Sequence, residues 1–300
     1  MNQIKIGTLI SAGEALSVIP DIADHGFESF SLTFWKTVGD IDLPELAKRL
    51  TDFLAPKGIT ISSLSIFSNP LAGGSEYADA VPSWEALIDH ASLFGTDLVT
   101  GFAGRVIDKS IDESIPTFKN VFGELSKRAA SKGVKIAFEN CTMGGDWQKG
   151  NWNIAHNPAA WELMFNALPD EHLGLQWEPC HQMVQLIDPI PQLRKWAGKI
   201  WNVHGKDATI DWDVIKQYGI GGAKQFAWHR TPGFGDSNWT DIISILRMNG
   251  YTGNIDIEGY HDPVYKGQLE LTGQIHALNY LKHCRGGSYV ANPEAWKNRQ

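Results

Sequence analysis

Four residues in this chain have the types and spacing to hold a metal ion: Glu139, Glu178, His204 and Glu258. Each closes a short β-prone run, in KIAFE, LGLQWE, IWNVH and NIDIE. A single carboxylate at a strand end is ordinarily a cap or a solvated group. Four metal-competent side chains at one structural position, in four successive strands, need another account. Three uncompensated carboxylates brought together would repel, and each would resist ionising beside the others. A divalent cation removes that repulsion. Three oxygen donors and one imidazole suit Mn2+ first, with Mg2+, Co2+ and Zn2+ also open.

Further polar side chains crowd the same stretches. Asn140 follows Glu139, and His181 lies three residues after Glu178. Lys206 and Asp207 follow His204 in H-G-K-D, and His229 and Arg230 lie in the long segment beyond. Tyr260, His261 and Asp262 follow Glu258, while Asp146 and His156 lie after Glu139. Any one of these reads equally as a loop or capping residue. As a set they predict substrate contacts from Asn140, His181, Lys206, Asp207, His229 and Arg230, with Trp147 as an aromatic platform. The chain has 12 tryptophans. Most are expected to pack as core or edge aromatics. A few near the polar cluster would offer a flat face to an amphipathic ring.

These side chains need elements that bring them to one place. Short strand-like runs alternate with helical patterns along the whole chain. Strands are expected at residues 4–10, 27–34, 59–67, 97–102, 134–139, 173–178, 199–204 and 254–258, each followed by helical sequence. Gly26, Gly58, Gly133 and Gly250 stand as helix stops, and Asn157-Pro158 opens a helix with a cap and Pro at its first position. Eight βα units predict a single-domain (β/α)8 TIM barrel over residues 1–284, with 285–300 as a C-terminal extension. The two long connections, 141–156 and 205–237, follow the fifth and seventh strands. In barrels, loops after strand C-termini carry the chemistry.

Composition excludes several alternatives. The net charge is −8, with 26 basic residues scattered among 34 acidic ones, so a nucleic-acid partner is not expected. The three cysteines form no C-x-x-C pair, which fits a reducing compartment. No signal-peptide pattern and no membrane-length apolar run is seen, so the expected location is cytoplasmic, without a membrane partner. The Gly-rich spots lack P-loop or Rossmann context.

From Lys135 to Asp262 most specifically, the sequence resembles the xylose isomerase-like barrel superfamily. It is similar there to the sugar phosphate isomerase/epimerase group, which includes D-tagatose 3-epimerase and inosose dehydratase. The resemblance implies that Glu139, Glu178, His204 and Glu258 are the metal ligands. It matches Glu178 and His181 to a D-x-x-H motif, and Arg230, before Pro232-Gly233-Phe234-Gly235, to a substrate-binding arginine. The group usually has Asp where this chain has Glu178. The resemblance also implies Glu139 and Glu258 as acid/base pair, a carbohydrate substrate, and a homo-oligomer, dimer or tetramer. The expected reaction is proton abstraction next to the carbonyl of a ketose-like sugar, giving isomerisation or epimerisation. A lyase or dehydratase acting on a keto-sugar, 3-keto-glycoside or keto-inositol shares that first step. The superfamily also holds endonuclease IV-like DNA repair enzymes. Those use more histidine ligands and a cationic groove, which this sequence does not offer.

Overall fold

The computed structural model describes residues 3–259 and 261–296; Tyr260 lies outside them, as do the last four residues of the expected extension. The strands are β1 (Lys5–Ser11), β2 (Ser29–Trp35), β3 (Thr60–Phe67), β4 (Leu98–Gly101), β5 (Lys135–Glu139), β6 (Leu173–Trp177), β7 (Ile200–Gly205), β8 (Asp207–Ile210), β9 (Ala227–Arg230) and β10 (Asn254–Ile257). Eight of them close a parallel barrel in the order β1-β10-β7-β6-β5-β4-β3-β2. The helices that cross between them include α1 (Ala15–Ile22), α2 (Leu43–Leu54), α3 (Ala80–His90), α4 (Ile111–Ser131) and α5 (Pro158–Ala167). They continue with the short α6 (Cys180–Met183), then α7 (Pro189–Trp196), α8 (Trp212–Tyr218), α9 (Trp239–Met248) and α10 (Glu270–Cys284). The expected single-domain TIM barrel is the observed one. Among the described residues, no helix is long and apolar enough to cross a membrane.

Local chemistry sets the helix starts. Asn157 accepts from Ala159 N and Pro158 takes the first helical position of α5. Ser110 and Glu113 form a reciprocal capping box on α4. Helix-facing aromatics seal the barrel wall: Trp84 and Phe122 meet edge-on at 5.4 Å, and Phe122 meets Phe138 of β5 at 4.8 Å. At the chain's far end, Arg285 is buried and donates to Ile4 O and to Glu28, which ties the segment after α10 to the barrel base.

The seventh connection was expected as a loop. It contains an antiparallel hairpin, with Asp207 opposite Arg230 and Ala208 opposite His229, and α8 between its strands. Each hairpin strand has four residues, too few for an alternation to show in the sequence.

Beneath the rim, the barrel interior is polar. Gln176, Asn202 and Asp256 each lie two residues before a rim residue, so they face inward one layer deeper. Gln176 Nε2 donates to Asn202 Oδ1 at 2.9 Å, and Asn202 Nδ2 donates to Asp256 Oδ2 at 2.9 Å. Ser29 Oγ completes the chain on Asp256 Oδ1 at 3.2 Å. Burial pushes the Asp256 carboxyl up. Gly7 is required here: a Cβ would lie 2.2 Å from Ser29 Oγ and 2.5 Å from Asp256 Oδ1.

Candidate metal centre

The ends of β5, β7 and β10 bring Glu139, His204 and Glu258 together. Ligand atoms from all three lie within 4.8 Å of one another, and all three residues are buried. Glu258 Oε2 lies 3.1 Å and Glu139 Oε1 3.5 Å from His204 Nδ1. Those contacts lack hydrogen-bond geometry. Among the described residues, neither ring nitrogen of His204 nor Glu258 Oε2 has a hydrogen-bond partner. Buried polar atoms are normally satisfied. Acceptor atoms grouped in this way, unsatisfied and buried, fit a divalent cation.

Charge in the site is organised around this group. Lys206 Nζ donates to Glu258 Oε1 at 2.5 Å, with both side chains buried. Burial opposes ionisation of Glu258, but Lys206 and His204 outweigh it and hold the carboxylate well below its usual range. Burial would likewise depress His204. Glu139 and Glu258 outweigh it and raise the imidazole to about 10. Without a cation, a proton on His204 is therefore the counter-charge.

Glu178 is at the rim but turned differently. Its carboxylate accepts from Asn140 Nδ2 at 3.0 Å and from His181 N at 2.9 and 3.1 Å. His181 Nδ1 lies 2.5 Å from Glu178 Oε1. Burial disfavours both charges, yet the pair lowers the Glu178 carboxyl and raises His181. Glu178 is not in the group formed by Glu139, His204 and Glu258. His181 instead meets Glu139 and Cys141, with ligand atoms again within 4.8 Å.

A cavity of about 380 Å3 opens over the site. Glu139, Glu258, His181, Lys206, His229 and His261 supply its polar wall. Trp35, Phe67, Phe102 and Met143 supply its apolar wall. That volume suits a small ligand with one oxygenated face. His229 packs edge-on against His181 at 5.0 Å and His261 at 5.7 Å. Burial, then Lys206 and His181, push His229 down to about 4, so it is neutral near pH 7. Burial and Lys206 lower His261 as well.

The other expected site residues have partners of their own. Asn140 clamps Glu178, donating to its carbonyl and accepting from its amide. Asp207 accepts from Ala208 N, Ser237 N and Trp239 Nε1, which pins the hairpin to α9. Arg230 Nε donates to Asp262 Oδ2 at 3.1 Å. Trp147 Nε1 donates to Asp112 at 2.8 Å. Neither Arg230 nor Trp147 lines the cavity; the tryptophan that does is Trp35. Of the lesser candidates, Asp146 turns its own loop by accepting from Gln148 N and Lys149 N, and His156 is buried.

Three residues without an expected role hold the rim together. Asn153 Nδ2 donates to the carbonyls of Glu139 and Cys141, both at 2.8 Å, and its Oδ1 accepts from Ala103 N and Ala155 N. Asn69 donates to Arg105 O and Asn151 O. Arg105 donates to the carbonyls of Lys109, Asp146 and Trp147. Arg105 had one signal, a lone cation in the apolar run F-A-G-R-V. Asn69 reads only as a turn residue before Pro70.

The sequence pattern of the xylose isomerase-like TIM barrel family matches residues 19–284. The chain belongs to this family. It is 25% identical over 221 residues to an inosose isomerase of Halalkalibacterium halodurans, covering 71% of this chain and 70% of that one. It is 31% identical over 111 residues to an inosose dehydratase of Clostridium tetani, covering 36% and 37%. In fold it is similar to a xylose isomerase domain protein from Planctomyces limnophilus, with TM-score 0.72, 19% identity and coverage of 95% and 99%. It is also similar to the 3-keto-D-glucoside 4-epimerase YcjR from E. coli, with TM-score 0.69, 14% identity and coverage of 94% and 100%. The family thus includes sugar isomerases, epimerases and dehydratases, and its barrel here carries a buried Glu/His/Glu group at the C-terminal ends of its strands.

Proposed function

We propose that this protein is a divalent-metal-dependent sugar isomerase or epimerase that removes a proton next to the carbonyl of a ketose-like substrate. The observation that carries the reading is the Glu139–His204–Glu258 group, with His204 and Glu258 Oε2 unsatisfied and both carboxylates lining a cavity of sugar-ring size. Glu139, His204 and Glu258 would hold the cation, with Glu178 beside them as the fourth expected ligand. Bound there, a divalent ion supplies Lewis acidity toward the substrate carbonyl. Mn2+ fits this donor set best.

The protein's own groups account for the proton. Lys206 keeps Glu258 free of a proton at neutral pH, and as the proposed base Glu258 would have to loosen that pairing to take up the α-proton. Glu139 lines the same cavity, so it would first take a proton from solvent and then deliver that proton to the carbon skeleton. Return to the opposite face of the same carbon gives an epimer; return to the neighbouring carbon gives an aldose–ketose pair. Neutral His229 and His261 can each donate and accept, which suits hydroxyl recognition. Trp35 and Phe102 give the cavity its apolar wall.

A second reading, elimination from a keto-sugar, is favoured by one observation. His181 faces the cavity with its proton held by Glu178, so it can donate to a departing hydroxyl or alkoxide.

Keto-sugars and 3-keto-glycosides incubated in D2O with Mn2+ test both readings by NMR. Deuterium at the α-carbon is expected with the wild type and is lost in Glu258→Gln and Glu139→Gln. Exchange with an intact skeleton selects the isomerase or epimerase, whereas aglycone or water loss selects the lyase. Absence of exchange with every ketone would sink the enolisation chemistry itself.

A further inference from the structure

A second cavity, of about 570 Å3, opens on the same rim between α1 and α10. It crosses the ends of β10, β1 and β2. Trp35 and Phe67 line this cavity and the metal-site cavity alike. Ile257 and Gly259 line the second cavity, while Glu258 between them lines the first. The two spaces therefore meet at the strand end that carries the proposed base.

The chemistry of the second cavity is one-sided. Its apolar lining includes Leu9, Val18, Ile22 and Leu271. Its polar groups are Ser11, Thr33, Glu14, Glu270 and Gln274. Among the described residues, no Lys, Arg or His lines it. Phosphate recognition relies on cationic donors, and two carboxylates would repel it. The Gln274 amide is pre-set, accepting from Thr8 Oγ1 at 2.7 Å and donating to Glu270 at 3.3 Å. An uncharged ligand with hydroxyl edges and an apolar face fits these walls.

Trp35 supplies the matching platform. It is 59% exposed, unusual for so large an apolar group, and stacks on Trp152 at 5.6 Å and 29°. The next residue, Lys36, has φ 64°, a left-handed conformation that costs energy in a non-glycine residue. Lys36 N donates to Phe67 O at 3.1 Å and Thr37 N to Trp35 O at 2.8 Å, so the strained turn is held in place. An exposed, pre-positioned indole suits stacking against the C–H face of a pyranose.

We infer that this cavity is a subsite for a second, uncharged sugar ring, so that the enzyme acts on a glycosidically extended keto-sugar and not on a sugar phosphate. Which ring reacts rests on the proposed enolisation; the binding of the second ring does not. The test uses the Mg2+-loaded full chain with saturation-transfer NMR on α- and β-linked glucobioses, against glucose. Saturation is expected on both rings of at least one glucobiose, with affinity about tenfold above that of glucose. Filling the cavity with Leu271→Trp or Val18→Trp, each checked for its fold by circular dichroism, is expected to erase second-ring saturation and that advantage. Saturation confined to one ring for every linkage would overturn the subsite. So would two folded filling variants that bind as the wild type does. α-Proton exchange with a 3-keto-monosaccharide, run alongside, separates the two ideas. Second-ring contact without exchange would fail the enolisation reading alone, and exchange without second-ring contact would fail the subsite alone.

Discussion

Metal loading should be a proton exchange at His204. With the imidazole neutral, Glu139 and Glu258 beside it face one cation, Lys206, while Glu178 and His181 pair off, which leaves one negative charge in excess among these rim groups. A proton on His204 cancels that excess, consistent with its rise to about 10 despite burial. A cation that uses His204 must expel this proton. At pH 7 the proton lies about three pH units below its dissociation, so its release costs about 4 kcal/mol of metal affinity. Affinity should rise about tenfold per pH unit and level off only near pH 10. Glu178 and Glu258 are held ionised across this window and add no slope. Calorimetric titration of Mn2+ into metal-free protein at about pH 6.5, 7.5 and 8.5, in buffers of different ionisation enthalpy, reads both slope and proton count. One proton per ion is expected, and none in His204→Gln. An affinity independent of pH, with no buffer-dependent heat, would refute the assignment of His204 as a ligand. The metal-free protein runs the other way. Its His204 stabilisation is complete below about pH 6.5, the ordinary imidazole value, and is lost as pH rises toward 10.

Lys206→Met strands the Glu258 carboxylate in a buried site, so metal-free protein should lose about 3–5 kcal/mol in urea unfolding, and Mn2+ should recover more stability in the variant than in the wild type. A loss below about 1 kcal/mol would mean the pair is solvated. Asn153→Ala orphans two amides and two carbonyls around the β5 end; thermal unfolding should report at least ~2 kcal/mol, with kcat falling more than KM rises because Glu139 loses its anchor. Glu178→Asp shortens the side chain by one methylene and should weaken its grip on His181, lowering the His181 titration seen by NMR; an unchanged His181 would show that the ion pair does not depend on that reach.

The rim residues were legible because two local signals coincide at each. A strand shows as a β-branched or aromatic run, and its C-terminal end shows as the polar residue that stops it. Eight alternating βα units predict the barrel, and four such ends in succession predict a shared site. The partners of those residues were not legible, because they are set by contacts far apart in the chain. Arg230 finds Asp262 across 32 residues, and Trp147 finds Asp112 across 35. No window of sequence distinguishes that Arg from one aimed at substrate, or that Trp from a platform. Asn153 is a still harder case. Its type and its loop are ordinary, and only the fold shows it bonding four backbone groups around Glu139.

Glu178 marks where residue type stops and direction begins. Its position in LGLQWE identifies a metal-competent carboxylate as well as the others do. What it binds depends on which donors compete for it within reach. Asn140 Nδ2, His181 N and His181 Nδ1 already occupy its oxygens, whereas His204 and Glu258 Oε2 have no hydrogen bond to give up. A cation entering the site would meet Glu139, His204 and Glu258 without displacing those donors, and in recruiting Glu178 would compete with His181 for its charge. Glu178, where the resembling group usually has aspartate, reaches back to that amide and ring. Glu178 is thus, in this chain, coupled to the charge of a histidine that lines the cavity over the site.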